Sequence, residues 1–172
     1  MTCILGIDPG SRVTGYGVIE TEGSESVHVA SGCVRVKAMG LALRLREIFE
    51  GVSDIITRCS PAEMAIEQVF LYRNADSALK LGQARGAAIC AAALRAVPTF
   101  EYTPAQIKEA VVGRGNAGKT QVQFMVRLLL NLAQPPEPDA ADALAVALCH
   151  ANSNRILTRV AKARGWHGGR WR

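Results

Sequence analysis

Cys3-Ile4-Leu5-Gly6-Ile7-Asp8-Pro9-Gly10 is a short apolar run that stops at one acid and is then made to turn. An unbroken apolar stretch of this length, closed by Pro9 and Gly10, predicts a strand buried on both faces. Asp8 then lies at the rim of the core. An ionised carboxylate is costly there unless something cationic meets it, either a basic side chain or a metal ion. Three later acids bear on that choice, each at the margin of an apolar element: Glu67, Asp139 and Asp142.

Working outward from that stretch, residues 14–20 and 27–36 carry enough Val, Ile and Tyr for two further strands separated by a polar turn, which makes an antiparallel meander of three. Leu41, Leu45, Ile48, Phe49, Val52, Ile55 and Ile56 recur at helical spacing, so residues 41–59 are predicted to form an amphipathic helix ending before Pro61. A fourth strand follows at 64–69, its acid again where the apolar run ends. Residues 75–96 read as a long helix rich in Ala and Gly, and 98–102 as a fifth strand. Thr103-Pro104 is a good cap and first-turn pair for a helix through about residue 112. A glycine-rich loop at 113–118 leads into a helix over 119–132. Pro135, Pro136 and Pro138 break the chain, and Asp139 opens a last helix through about Asn152. This order is that of a ribonuclease H-like five-stranded mixed sheet flanked by helices, an α/β arrangement. Residues 1–154 are expected to form one nuclease-type domain and residues 155–172 a basic, flexible tail.

Composition narrows the classes. A chain of 172 residues suits a single domain with a sizeable core. Its five cysteines (Cys3, Cys33, Cys59, Cys90 and Cys149) are scattered and form no C-x-x-C pair, the usage of a reducing cytosol rather than of a disulfide framework. With no basic leader and no apolar stretch of 18 residues, neither a signal peptide nor a membrane span is expected, and the protein is placed in the cytoplasm. The net charge of +5 is unevenly divided. Residues 68–134 hold eight basic side chains against three acidic ones, and residues 155–172 six against none, whereas residues 135–154 hold three acids and no base. A protein that gathers acids at one point while holding a polyanion beside it has this distribution, although a solvated basic tail on an ordinary domain would account for part of it.

Asp139 and Asp142 are three apart at a helix start, so they project about 60° apart from nearly the same face. Read alone, they are a helix cap and a first-turn acid suited to the helix dipole. Their neighbours Ala140, Ala141, Ala143, Leu144, Ala145, Val146 and Ala147 are apolar, however, so the helix is buried and its acids point inward. Four carboxylates meeting at one place repel, and some must protonate unless divalent cations are present. Oxygen ligands without a histidine or cysteine cluster select Mg²⁺ or Mn²⁺ over zinc. Two such ions roughly 4 Å apart can activate water and stabilise the departing oxygen of a phosphodiester.

These residues carry a resemblance. G-I-D-P-G at 6–10 with T-G-Y-G at 14–17, A-I-E-Q-V-F at 65–70, the glycine-rich loop with K-T-Q-V-Q through 123, and D-A-A-D-A-L-A at 139–145 match, in order, the RuvC family of Holliday junction resolvases. The resemblance implies that Asp8, Glu67, Asp139 and Asp142 bind two Mg²⁺ ions, with Mn²⁺ substituting. It implies a homodimer that nicks two opposite strands of a four-way DNA junction in recombination and repair, leaving 5′-phosphate and 3′-hydroxyl ends, and that works with the branch-migration proteins RuvA and RuvB. Lys108 and Lys119 match lysines placed near the scissile phosphate, and Phe70 matches an aromatic that stacks on an opened base. Tyr72, Arg73, Lys80, Arg85 and Arg114 are the remaining candidate DNA contacts. Residues 113–120 (GRGNAGKT) also satisfy the P-loop pattern. A working P-loop leaves a strand and enters a helix, whereas the segment before this one reads as helix, so no nucleotide cofactor is expected. His150 and His28 are read as satisfied polar residues rather than ligands. The nearest competing enzyme reading is a ribonuclease H-like nuclease for RNA hybrids.

Overall fold

A computed structural model describes residues 1–69 and 74–165, with side chains through residue 156. The elements in chain order are β1 (Thr2–Asp8), β2 (Val13–Glu22), β3 (Glu25–Arg35), α1 (Leu41–Cys59), β4 (Glu63–Glu67), α2 (Ala75–Ala93), β5 (Thr99–Tyr102), α3 (Pro104–Val112), α4 (Lys119–Leu129) and α5 (Pro138–Gly165). The strands form one mixed sheet in the order β3-β2-β1-β4-β5, antiparallel across β3, β2 and β1 and parallel across β1, β4 and β5. This is the five-stranded ribonuclease H-like arrangement that the sequence predicts.

The two faces of the sheet have separate cores. Leu5, Ile7, Val18, Met64 and Ile66 pack under α1 and α2, while Ile4, Ile19 and Ala65 pack under α3, α4 and α5. Side chains alternate faces along a strand. Gly6 and Asp8 therefore share the face of Ile4, and Glu63 and Glu67 share that of Ala65. Parallel pairing matches Gly6 with Ala65 and Ile7 with Ile66, which puts Asp8 and Glu67 side by side one step further on.

Glycines on that face let α5 lie directly on the sheet. A Cβ on Gly6 would come within 2.1 Å of the Ala143 carbonyl oxygen, one on Gly15 within 2.0 Å of the Asp139 carbonyl oxygen, and one on Gly17 within 2.6 Å of Leu144. The N-terminal turns of α5 thus rest in a trench cut across β1 and β2, next to Asp8.

Several element boundaries differ from expectation by one to three residues, α4 for example ending at Leu129 rather than at 132. β4 ends at Glu67 and α2 at Ala93. More consequentially, α5 does not stop near Asn152 but runs on to Gly165, so the expected boundary between domain and tail falls inside a helix. Asn152, Ser153 and Asn154 read as a stop signal because such side chains compete for backbone groups. Here the Ser153 hydroxyl donates to the Cys149 carbonyl at 2.9 Å and Asn152 donates to the Ala110 carbonyl at 3.2 Å. Arg155 anchors the next turn by donating to the Glu25 carbonyl and the Ser26 hydroxyl. Residues 155–165 are helical, and residues 166–172, with Trp166 and Trp171, lie outside the described residues.

Candidate active site

Asp8, Glu67 and Asp142 line one cleft of about 220 Å³, together with Lys108, Lys119, Pro104, Ile107, Val122, Ala145 and Val146. The first two acids are delivered by the adjacent ends of β1 and β4 and the third by the second turn of α5. Asp139, one turn earlier, stands outside the lining but close enough to add its repulsion to Asp8 and Asp142. It is the second residue of its helix rather than the cap, since Pro138 opens α5 and the Ala141 amide already bonds the Glu137 carbonyl.

The electrostatics of the cluster are those of carboxylates short of positive charge. Burial, followed by repulsion from Glu67 and Asp142, pushes the Asp8 carboxyl up to about 8. Glu67 is also raised, chiefly by burial, while its hydrogen bond with Asp8 and the charges of Lys119 and Lys108 pull the other way. Asp142 is raised because burial outweighs the Lys119 ammonium that pairs with it at 3.3 Å. Lys119 is raised in turn, first by Asp142. The excess negative charge is opposed by the raised proton affinity of Asp8 and Glu67 and by the lysine on Asp142. Among the described residues no group of three or more His, Cys, Asp or Glu is already arranged to hold a metal ion, and Asp142 is paired with Lys119. An all-oxygen set of three half-buried acids in one cleft, with raised proton affinity and a fourth acid beside it, fits a hard divalent cation.

Of the two lysines, Lys119 is the first residue of α4 and mostly exposed, and Lys108 reaches the cleft from α3. The capping box at Thr103 and Gln106 fixes where α3 begins, with the Gln106 amide bonding the Thr103 hydroxyl at 3.2 Å and the Thr103 amide bonding the Gln106 side chain at 2.9 Å. The glycine-rich loop leaves α3 through Gly113 in the left-handed region (φ 82°) and enters α4 at Gly118. It follows a helix, which is not the strand–loop–helix context of a P-loop.

The candidate DNA contacts divide. Phe70, Tyr72 and Arg73 lie outside the described residues. Arg114 is exposed on the glycine-rich loop, and Lys80 is exposed on α2 in an ion pair with Asp76 at 2.5 Å. Arg85 is half-buried and turned inward: its Nε donates to the Glu67 carbonyl at 3.2 Å and its Nη2 meets the Glu101 carboxylate at 2.7 Å.

One polar network went unread in the sequence. His150 of α5, fully buried, bonds the Tyr102 hydroxyl through Nδ1 at 2.7 Å and the Glu63 carboxylate through Nε2 at 2.8 Å, and Asn154 donates to the same carboxylate. Phe100 lies against the imidazole with ring centroids 4.5 Å apart. His150 is thus satisfied within the core, and His28 likewise bonds the Ser31 hydroxyl. The spacing of Glu63 two residues from Ala65 and four from Glu67 was the available signal, because it put a second acid on the α5 face.

With this geometry in hand, comparisons with known proteins are direct. The family model described as crossover junction endodeoxyribonuclease RuvC matches residues 4–150. The chain is 56% identical to the crossover junction endodeoxyribonuclease RuvC of Vibrio cholerae serotype O1, over the full length of both. The structure of Thermus thermophilus RuvC in complex with a Holliday junction substrate superposes with a TM-score of 0.86 at 36% identity, covering 92% of this chain and 98% of that one. The yeast mitochondrial Holliday junction resolvase Ydc2 superposes with a TM-score of 0.59 at 11% identity, over 91% of this chain and 84% of that one, a likeness of fold alone.

Proposed function

The chain belongs to the RuvC family of crossover junction endodeoxyribonucleases, and from that premise we propose that it resolves four-way DNA junctions in recombination and repair by two symmetric nicks that leave 5′-phosphate and 3′-hydroxyl ends. The observation that carries the reading is the cleft where Asp8, Glu67 and Asp142 meet Lys108 and Lys119, built on a scaffold that matches a junction-bound relative along nearly its whole length.

Asp8, Glu67 and Asp142, with Asp139 beside them, would hold the divalent ions, Mg²⁺ with Mn²⁺ able to substitute. When bound, such ions supply an acidified water and charge stabilisation for the departing oxygen. The chain's own contribution is otherwise electrostatic. Burial raises the proton affinity of the acids, so they favour any cation that enters. The two lysines face the same cleft and favour the negative charge of a phosphate oxygen. Phe70, directly beyond β4, is assigned to stack on an unpaired base, with Tyr72, Arg73, Lys80 and Arg114 along the DNA backbone.

A homodimer is part of the reading, because two nicks across one junction need two clefts. The outer face of α2 suits it: Leu79 is exposed, and a Cβ on Gly82 or Gly86 would meet nothing within 4 Å, leaving room for close approach of a second backbone. RuvA and RuvB as partners, and a cytoplasmic location, follow from family membership. No helix among the described residues is long and apolar enough to cross a membrane.

The deciding experiment incubates the protein with a synthetic four-way junction, a linear duplex and an RNA–DNA hybrid, each with and without Mg²⁺. Paired nicks in the junction alone, and only with the ion, are expected. Equal cutting of the hybrid, or no cutting of the junction at any Mg²⁺ or Mn²⁺ concentration, overturns the reading.

A further inference from the structure

Glu67 is the last residue of β4, and a carboxylate at the free end of a strand needs something to fix the backbone that carries it. Three bonds converge there from the side away from α5. The Arg85 Nε of α2 donates to the Glu67 carbonyl at 3.2 Å. The Gln68 amide donates to the Tyr102 carbonyl at 2.8 Å, closing the last rung to β5. The Gln68 side chain donates at 3.5 Å to Glu101, whose carboxylate is paired with Arg85. One guanidinium therefore ties α2 to the end of β4 and, through Glu101, to β5.

Resting on the nuclease reading above, we propose that Arg85 is a positioning residue for Glu67, bracing the carboxylate against Asp8, and that it makes no phosphate contact. Arg85 has 19% of its side chain exposed, and its wholly buried Nη2 is held by charge against Glu101 at 2.7 Å, outside hydrogen-bond geometry. In the groove lined by Gln68, Gln83, Arg85 and Glu101, the carboxylate is the more exposed of the pair, 47% against 19% for Arg85, so a DNA phosphate there faces a negative charge. A planar fork with one prong on a carbonyl and another on a carboxylate is a task lysine cannot duplicate. Residues that orient ligand side chains typically change metal affinity tenfold or more when removed.

The test uses the full-length protein and the variants Arg85→Gln, Arg85→Lys and Glu101→Gln, with Mn²⁺ binding followed by water-proton relaxation without DNA. Junction affinity is measured as a function of salt, and cleavage at saturating junction over a Mn²⁺ series. Arg85→Gln is expected to weaken Mn²⁺ binding about tenfold and to leave junction affinity and its salt slope unchanged, with cleavage recovering at high Mn²⁺. Arg85→Lys should resemble Arg85→Gln, and Glu101→Gln should fall between that variant and wild type. Should Arg85→Gln not fold, the other two carry the test. Unchanged Mn²⁺ affinity across the variants, or a junction affinity that falls with a salt slope shallower by about one, overturns the assignment and makes Arg85 a structural or phosphate-contacting residue. If the wild-type protein neither binds Mn²⁺ nor cuts the junction, the nuclease reading fails and takes this inference with it; if wild type does both, the variants judge Arg85 alone.

Discussion

At the scale of the residue, Asp8 sets both the chemistry and its cost. Its carboxyl is raised from an ordinary 3.8 to about 8, chiefly by burial and then by Glu67 and Asp142. The folded chain therefore holds this proton more tightly than the unfolded chain does. The contribution to stability is fully present below about pH 4 and is lost as pH rises through about 8. Without divalent ions the melting temperature is expected to fall between pH 5 and pH 8.5, which thermal unfolding across that range checks. Asp8→Asn should flatten the fall and stabilise the ion-free protein at pH 8, while abolishing cleavage and keeping or tightening junction binding. Retained cleavage in this variant would remove Asp8 from the site. Because ions displace the proton, less Mn²⁺ should be needed for half-saturation at pH 8 than at pH 6. The sequence displayed Asp8 plainly, since an acid at the end of an apolar run stands out. It hid the role of Arg85, because a basic residue on a helix reads as solvent-facing or phosphate-facing until its partners are known.

At the scale of the element, α5 must reach the sheet at one depth for Asp142 to meet Asp8. Gly15→Ala would set a methyl group 2.0 Å from the Asp139 carbonyl oxygen. The helix then has to lift, at a cost of about 1–3 kcal/mol for overpacking. Cleavage should fall further than that destabilisation explains, which urea unfolding and junction cutting measured on the same sample will separate. The buried His150, with its half-buried partners Tyr102 and Glu63, holds the same helix two turns further along. His150→Ala removes the ring partner of the Tyr102 hydroxyl and one of the two partners of the Glu63 carboxylate, Asn154 remaining, and should cost about 1–3 kcal/mol, read as a lower urea midpoint. Strands β1 and β4 were legible because their apolar runs are short, unbroken and closed by an acid. Gly6, Gly15 and Gly17 gave no warning that a helix would seat on them, since a glycine in a strand looks the same whether or not another backbone approaches it. The length of α5 was hidden by Asn152 and Ser153, whose partners, the Ala110 and Cys149 carbonyls, become apparent only once the helix exists.

At the scale of the molecule, the proposed pair of nicks depends on two clefts held at a fixed separation. Leu79→Glu on the outer face of α2 is expected to yield monomers by sedimentation and to convert paired cuts into single nicks, with each monomer still folded. Paired cutting by a monomer would break the link between assembly and resolution. The same architecture imposes an order in time. Asp8 and Glu67 leave the ribosome in the first 67 residues, and β5 follows by residue 102, but Asp142 arrives only with α5. A nascent chain that has not yet made α5 holds the sequence of all five strands and still lacks the carboxylate that Lys119 holds, along with the body that fills the glycine trench. Synthesis interrupted before α5 therefore releases a disarmed product, and a DNA-cutting centre comes into being only once that helix is made.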